Sequence, residues 1–248
     1  MGVALPLLAV TGLSAEARIA AGTGVVTLAG GGNAARLSLR LQAALDRGAA
    51  AVISFGIAGG LTPGLAPGTT IIGRIVDDGA ARVSTDPSWR RRLSTALPHA
   101  IVGDLVGVDA PVCGIAGKSE WHRRTGAAAI DMESHVAARL AARYDVPFAA
   151  LRIVADPADR TVPQAATVGM RADGSTDVGA VLKALARQPA ELPGLVRTAL
   201  DARAAFASLM RSRRLLCALF GFETTGPEPL FARPTGVEVG IPAPAELS

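Results

Sequence analysis

Residues 128 to 159 constrain this chain most (AAIDMESHVAARLAARYDVPFAALRIVADPAD). An apolar run ends in the acids Asp131 and Glu133. An Ala-rich segment with helical spacing follows, and a second apolar run, VPFAALRIV, ends at Asp156. Such a pattern reads as strand, helix, strand, with carboxylates delivered at the C-terminal ends of two buried strands. Ligand chemistry in α/β folds collects at those ends.

The rest of the chain repeats this alternation. Residues 5–10 read as a first strand and residues 25–30 as a second. A helix with Leu37, Leu41, Ala44 and Leu45 on one face comes next. The run AAVISFGIAGG, residues 50–60, is apolar throughout, as befits a strand covered on both faces. Residues 69–76 read as a strand, Pro87–Leu97 as a helix, 101–117 as one or two strands and 118–124 as a short helix. Residues 160–176 read as an irregular loop. Helices are expected over 178–186 and 191–216, the second with Leu195, Ala199, Ala202, Phe206 and Leu209 in one apolar stripe. Strands alternating with helices predict one α/β domain, a sheet layered by helices, over residues 1–220. A Pro- and Gly-rich tail occupies 221–248.

Composition narrows the classes of function. Half of the residues are apolar, but only 4% are aromatic, so the core is built from Ala, Val, Leu and Ile. The net charge is +4. The basic clusters Arg90–Arg92 and Arg211, Arg213, Arg214 have no interleaved aromatic stacking platform, which argues against nucleic acid. Two distant cysteines, and histidines at 99, 122 and 135, have no metal-site spacing, so no metal is expected. The apolar N-terminus lacks a basic region and is too short to span a bilayer, so a cytoplasmic protein is expected.

Two glycine segments flank the acids. Gly30-Gly31-Gly32-Asn33 lies between a strand and a helix, where it serves either as a ligand-proximal loop or as a tight turn with Asn33 as cap. Its spacing fits neither a dinucleotide nor an ATP phosphate loop. The segment FGIAGGL, residues 55–61, is the second candidate wall. Glu16 by itself reads as an early-helix acid that favours the helix dipole.

The segments Val10–Glu16 (VTGLSAE), 30–34 (GGGNA), 55–61 (FGIAGGL), 129–134 (AIDMES) and 146–156, in this order, resemble the purine nucleoside phosphorylase and nucleosidase superfamily. That group includes the methylthioadenosine/S-adenosylhomocysteine nucleosidases. Through Thr125–His135, Arg152–Arg160, Met170–Gly174 and PAELPGL at 189–195 the chain is most similar to the hopanoid-associated phosphorylases. The resemblance implies a three-layer α/β/α sandwich around a mixed central sheet. It also implies cleavage of the adenine N-glycosidic bond of adenosylhopane by phosphorolysis, with inorganic phosphate as co-substrate and no other cofactor. Hydrolysis of methylthioadenosine or S-adenosylhomocysteine is the alternative, and a non-catalytic nucleoside-binding or scaffold protein is another. A homo-oligomer, a dimer by preference, is implied.

Carried over residue by residue, the resemblance assigns Glu133 to the ribose hydroxyls, with Met132 against the sugar. It assigns Asp156 to purine N7 and Glu16 to the water of the hydrolases. Gly31, Gly32, Asn33, Gly56, Ile57, Ala58 and Arg152 complete the expected binding set. Two positions depart from the pattern. Ile57 stands where a Ser is usual, and Ser54 where many phosphorylases have a phosphate-clamping Arg. Arg36, Arg40 and Arg74 are the candidates to replace it. The C-terminal RSRRLLCALFGF, 211–222, reads as a last helix on the core or on a dimer partner. Alternatively it touches a membrane surface through Leu215, Leu216, Leu219 and Phe220.

Overall fold

The computed structural model describes residues 4–163, 166 and 178–223. Most of the expected 160–176 loop, the 170–174 motif and the tail from 224 onward lie outside the described residues.

The sheet begins with β1 (Leu7–Thr11), which pairs in parallel with β2 (Val25–Ala29) and β3 (Ala51–Gly60). Strand β3 runs parallel to β8 (Phe148–Asp156), and β8 runs antiparallel to β4 (Thr70–Asp77). Strand β4 then pairs with the short β5 (Arg82–Ser84) and with β6 (Ile101–Gly107). Strand β6 pairs with β7 (Ala129–Asp131), and β7 returns to β3 through Gly59 and Gly60. The mixed sheet therefore closes on itself along β3–β8–β4–β6–β7, a closure that strand-by-strand periodicity does not reveal.

Alternation along the strands builds a core on each face. In β8, Phe148, Ala150 and Val154 point into one apolar cluster, and Ala149, Leu151, Ile153 and Ala155 into the other. The first cluster is closed by α2 (Ala34–Leu45) and α5 (Ser134–Arg143) through Leu37, Leu41, Val136 and Leu140. The second is closed by α1 (Ser14–Ala20), α3 (Pro87–Ala96) and the long C-terminal helix through Ala20, Trp89, Leu93, Ala205 and Leu209. This gives three layers, with the 50–60 run buried from both sides as its composition requires. That long helix is α7 (Leu192–Leu215), and two further helices are α4 (Ile115–Thr125) and α6 (Val178–Arg187).

Details of several elements differ from expectation. Residues 101–117 hold one strand, within the expected one or two, but α4 begins at Ile115 and not at residue 118. On α7, Leu209 is buried but Ala199 is exposed, so the apolar stripe reaches the core only in its second half. The C-terminal segment is also committed to the core. Leu216 and Phe220 are buried, Phe220 meets Phe55 edge-on at 5.0 Å, and Trp89 Nε1–H donates to the Phe220 carbonyl at 2.8 Å. Of the four residues expected at a membrane surface only Leu215 is exposed, so that contact is not available to this segment as a unit. Phe222 lies 4.8 Å from Trp89, so packing extends past the expected boundary at residue 220. No helix among the described residues is long and apolar enough to cross a membrane.

Candidate active site

The C-terminal ends of β1, β3, β7 and β8 surround a cavity of about 280 Å³. Glu16, Ile57, Ala58, Met132, Glu133 and Asp156 all stand on its wall, so residues far apart in the chain meet there.

Glu16 arrives by way of the turn between β1 and α1. Its Oε2 accepts from the backbone N–H of Gly12 and of Leu13, each at 2.8 Å, as an early-helix acid can. Its Oε1 accepts from the Ile57 N–H at 2.7 Å, which joins α1 to the end of β3. Burial pushes its carboxyl above the ordinary range, against the pull of Arg152 and of these three N–H groups.

The close approach depends on Gly56. A Cβ there would stand 2.6 Å from Glu16 Oε1 and 2.8 Å from Arg152 Nη1. Gly56 is thus the floor beneath two site residues and is not itself part of the wall.

Arg152 is fully buried and absent from the cavity wall. Its guanidinium donates to Ser54 Oγ at 2.6 Å, Ser134 Oγ at 3.2 Å and the Ile57 carbonyl at 3.3 Å. It lies 2.9 Å from Asp131 Oδ1 and 3.7 Å from Glu133 Oε2. The expectation of a direct substrate contact is therefore corrected, because Arg152 sits behind the acids and orders them. Ser54, at the position of an expected phosphate-clamping Arg, supports Arg152 instead.

Asp131 organises the start of α5. Its Oδ1 accepts from the N–H of Glu133 at 2.9 Å and of Ser134 at 2.7 Å. Its Oδ2 is buried without a hydrogen-bond partner among the described residues. Burial pushes Glu133 up to about 8, Arg152 pulls it down, and Asp131 and Glu16 push it further up. Three buried carboxyls share one guanidinium, and of these Glu16 and Glu133 hold a proton more readily than isolated acids do.

Asp156 ends β8 at a register shift, where it lies opposite Gly59. The irregularity turns the last side chain of the strand to the cavity. Burial raises its carboxyl, while Lys118 lowers it through charge and a hydrogen bond. Lys118 Nζ is 2.6 Å from Asp156 Oδ2 and the lysine is fully buried. Sequence reading missed this partner, because Lys118 stands in a polar helix that looks solvated.

Gly31, Gly32 and Asn33 are not on the cavity wall. Both glycines adopt left-handed backbone, φ 63° and 70°, and the Gly31 N–H donates to the Gly12 carbonyl at 2.9 Å. Asn33 caps α2 by accepting from the Arg36 N–H at 2.8 Å. The tight-turn alternative is the one observed. Among the described residues no group of three or more His, Cys, Asp or Glu could hold a metal.

Residues 9–192 match the family described as the phosphorylase superfamily. The chain belongs to that superfamily. No curated protein matches its sequence. Among solved structures it is similar to the 5′-methylthioadenosine/S-adenosylhomocysteine nucleosidase of Neisseria meningitidis, in complex with methylthio-immucillin-A. The TM-score is 0.60 and identity 15%, over 88% of this chain and 100% of that one. The S-adenosylhomocysteine nucleosidase of Streptococcus pyogenes gives 0.59 and 14%, over 88% and 98%. The futalosine hydrolase of Helicobacter pylori gives 0.58 and 12%, over 86% and 99%. At these identities the likeness establishes the fold.

The expectation of inorganic phosphate as co-substrate is overturned. The structures that this superfamily member resembles are named nucleosidases and a hydrolase. The site agrees, since no basic side chain stands on the described cavity wall. Arg40 donates to the Ala29 carbonyl, and Arg74 pairs with Asp104 at 2.8 Å. Backbone N–H groups that could cradle an anion are occupied by Glu16.

Proposed function

We propose that this chain hydrolyses the N-glycosidic bond of an adenine nucleoside of the methylthioadenosine or S-adenosylhomocysteine type, releasing adenine. The observation that supports it best is the cavity wall itself, which among the described residues carries Glu16, Glu133 and Asp156 and no cation. Such a wall suits a neutral nucleophile and a cationic transition state.

Breaking the bond leaves positive charge on the ribose and negative charge on the purine. Glu133 accepts hydrogen bonds from the ribose hydroxyls. Its carboxyl, pushed up to about 8, ionises more readily as ribosyl charge develops, so its bonds strengthen most in the transition state. Asp156 gives its proton to N7 of the departing base. Burial makes Glu16 more basic than a surface carboxylate, and it removes a proton from the attacking water. Environments that differ between Glu16 and Asp156 let one act as base and the other as acid.

The 5′ substituent is the finer question. Val108, Pro111, Val112 and Val162 make part of the wall apolar, which suits a methylthio group. The same wall supports adenosylhopane, whose 5′ group is a hydrocarbon, as a second substrate reading.

Chromatographic assay of adenine release from methylthioadenosine, S-adenosylhomocysteine and adenosylhopane tests the reading. Release from at least one is expected. Release from none would count against an adenine nucleosidase.

A further inference from the structure

Lys118 has no place among the groups that touch the cavity, yet it is the buried cation nearest to the base's proton donor. It lies in the first turns of α4, is absent from the wall and is fully sealed from solvent. A lysine is retained in such surroundings only when its ammonium is paired and hydrogen-bonded. Here Nζ lies 2.6 Å from Asp156 Oδ2 and donates to the carbonyls of Pro157 and Arg160, each at 2.9 Å. The Asp156 carbonyl lies 3.3 Å away. Every neighbour is an acceptor, which matches the three donors of an ammonium.

We propose that Lys118 is a positioning residue that acts through Asp156: its ammonium occupies Oδ2 and so directs the carboxyl proton to Oδ1, the oxygen left for the departing base. The inference rests on the reading of Asp156 as the proton donor to N7. An ammonium cannot accept a hydrogen bond. A proton on Oδ2 would set donor against donor at 2.6 Å. The protonated acid therefore carries its proton on Oδ1, and the O–H bond that breaks as N7–H forms is that one. The pair of electrons returns to the carboxylate, which Lys118 then neutralises.

The cation also sets the strength of the acid. Asp156 is faced by Lys118 from α4, by Cys113 from the preceding loop and by Asp201 from α7. Lys118 is the one among them that favours the carboxylate. Without it, Asp156 would hold its proton to higher pH and give it up less readily. A purely structural role competes with this one. Lys118 ties down the turn at Pro157–Arg160, Arg160 pairs with Asp201, and α7 supplies Thr198 and Ala202 to the wall.

The test uses Lys118→Met, and Lys118→Gln as a variant that keeps donors for the buried carbonyls while removing charge. Each is assayed on methylthioadenosine and on p-nitrophenyl riboside, whose leaving group needs no proton. On the purine substrate kcat/KM should fall about 100-fold. The alkaline limb of its pH profile should move up by about one pH unit. On the nitrophenyl substrate the loss should stay within about threefold, and Lys118→Arg should restore part of the purine rate. Equal losses on both substrates, or a Lys118→Gln variant with wild-type rate and alkaline limb, would overturn the proposal. A wild-type protein that releases no purine would defeat the nucleosidase reading instead. The Lys118 inference is then judged by the carbon-13 carboxyl titration of Asp156, assigned with Asp156→Asn. An upward move in Lys118→Gln upholds the coupling, and an unmoved titration overturns it.

Discussion

Arg152 Nη2 stands 2.9 Å from Asp131 Oδ1, with both side chains sealed from solvent. Buried ion pairs cost desolvation when formed, but breaking one leaves a stranded charge. Here the stranded set would include Glu133 and Glu16, both of which feel Arg152. Arg152→Met should therefore lose about 3–5 kcal/mol of stability. Arg152→Lys should recover only part, since one ammonium cannot reach Ser54, Ser134 and Asp131 in the planar fork geometry. Urea unfolding checks both. A Met variant as stable as the wild type would mean that Arg152 does not order the acids.

Gly56→Ala probes the floor of the site. The new Cβ would meet Glu16 Oε1 at 2.6 Å, so the carboxylate must move. A displacement near 1 Å of a reacting group costs about 100-fold in rate. Stability should fall by about 1–3 kcal/mol, as for other overpacked sites. A folded Ala variant with unchanged kcat would remove Glu16 from the catalytic group.

On the proposed reading the acids separate by role. Asp156→Asn keeps the shape but loses the proton, and should slow adenine release about 100-fold or more. Glu16→Gln should lose a similar factor through the water step, with substrate binding retained. Rapid-quench kinetics beside a direct binding measurement distinguishes the two effects from weakened affinity.

Glu133 carries a stability signature in pH. Its folded value of about 8 lies above the ordinary 4.5, so the folded state binds the proton more tightly. Below about 4.5 the group is neutral in both states and costs nothing. As pH rises toward 8 the unfolded chain releases the proton first, and stability is lost. Glu133→Gln removes that loss. Its Tm relative to wild type should rise by several degrees between pH 5 and pH 8. A difference that stays flat across this window would contradict the raised value.

The C-terminal aromatics test where the domain ends. Phe220 is buried against Phe55 and its carbonyl is held by Trp89. Phe220→Ala should cost about 3–5 kcal/mol, read by denaturant unfolding. Anionic liposomes should sediment wild type and Leu215→Ser equally.

Much of this was legible in the sequence. The apolar 50–60 run and the two acid-ended runs around α5 announce buried strands, because period and composition are local properties. Glu133 and Asp156 were legible for the same reason, standing where apolar runs stop. Other features depend on distant partners. A lysine in GIAGKSEW looks solvated until Asp156 arrives from β8, thirty-eight residues on. Gly31, Gly32 and Asn33 have the same composition whether they bind a ligand or cap a helix. The run RSRRLLCALFGF suits a membrane surface or a core equally well, and only the pocket around Phe55 decides between them. Arg152 is recognisable as a site residue, yet its retreat behind the acids depends on Ser54 and Ser134, one from each neighbouring element.

The central claim is that water attacks the ribose in a site whose described wall carries no cation for phosphate. The direct measurement is the mass of the sugar product from methylthioadenosine, with and without added phosphate. Free methylthioribose should form at the same rate in both, and no phosphorylated sugar should appear. A sugar 1-phosphate that forms only when phosphate is present would contradict the account.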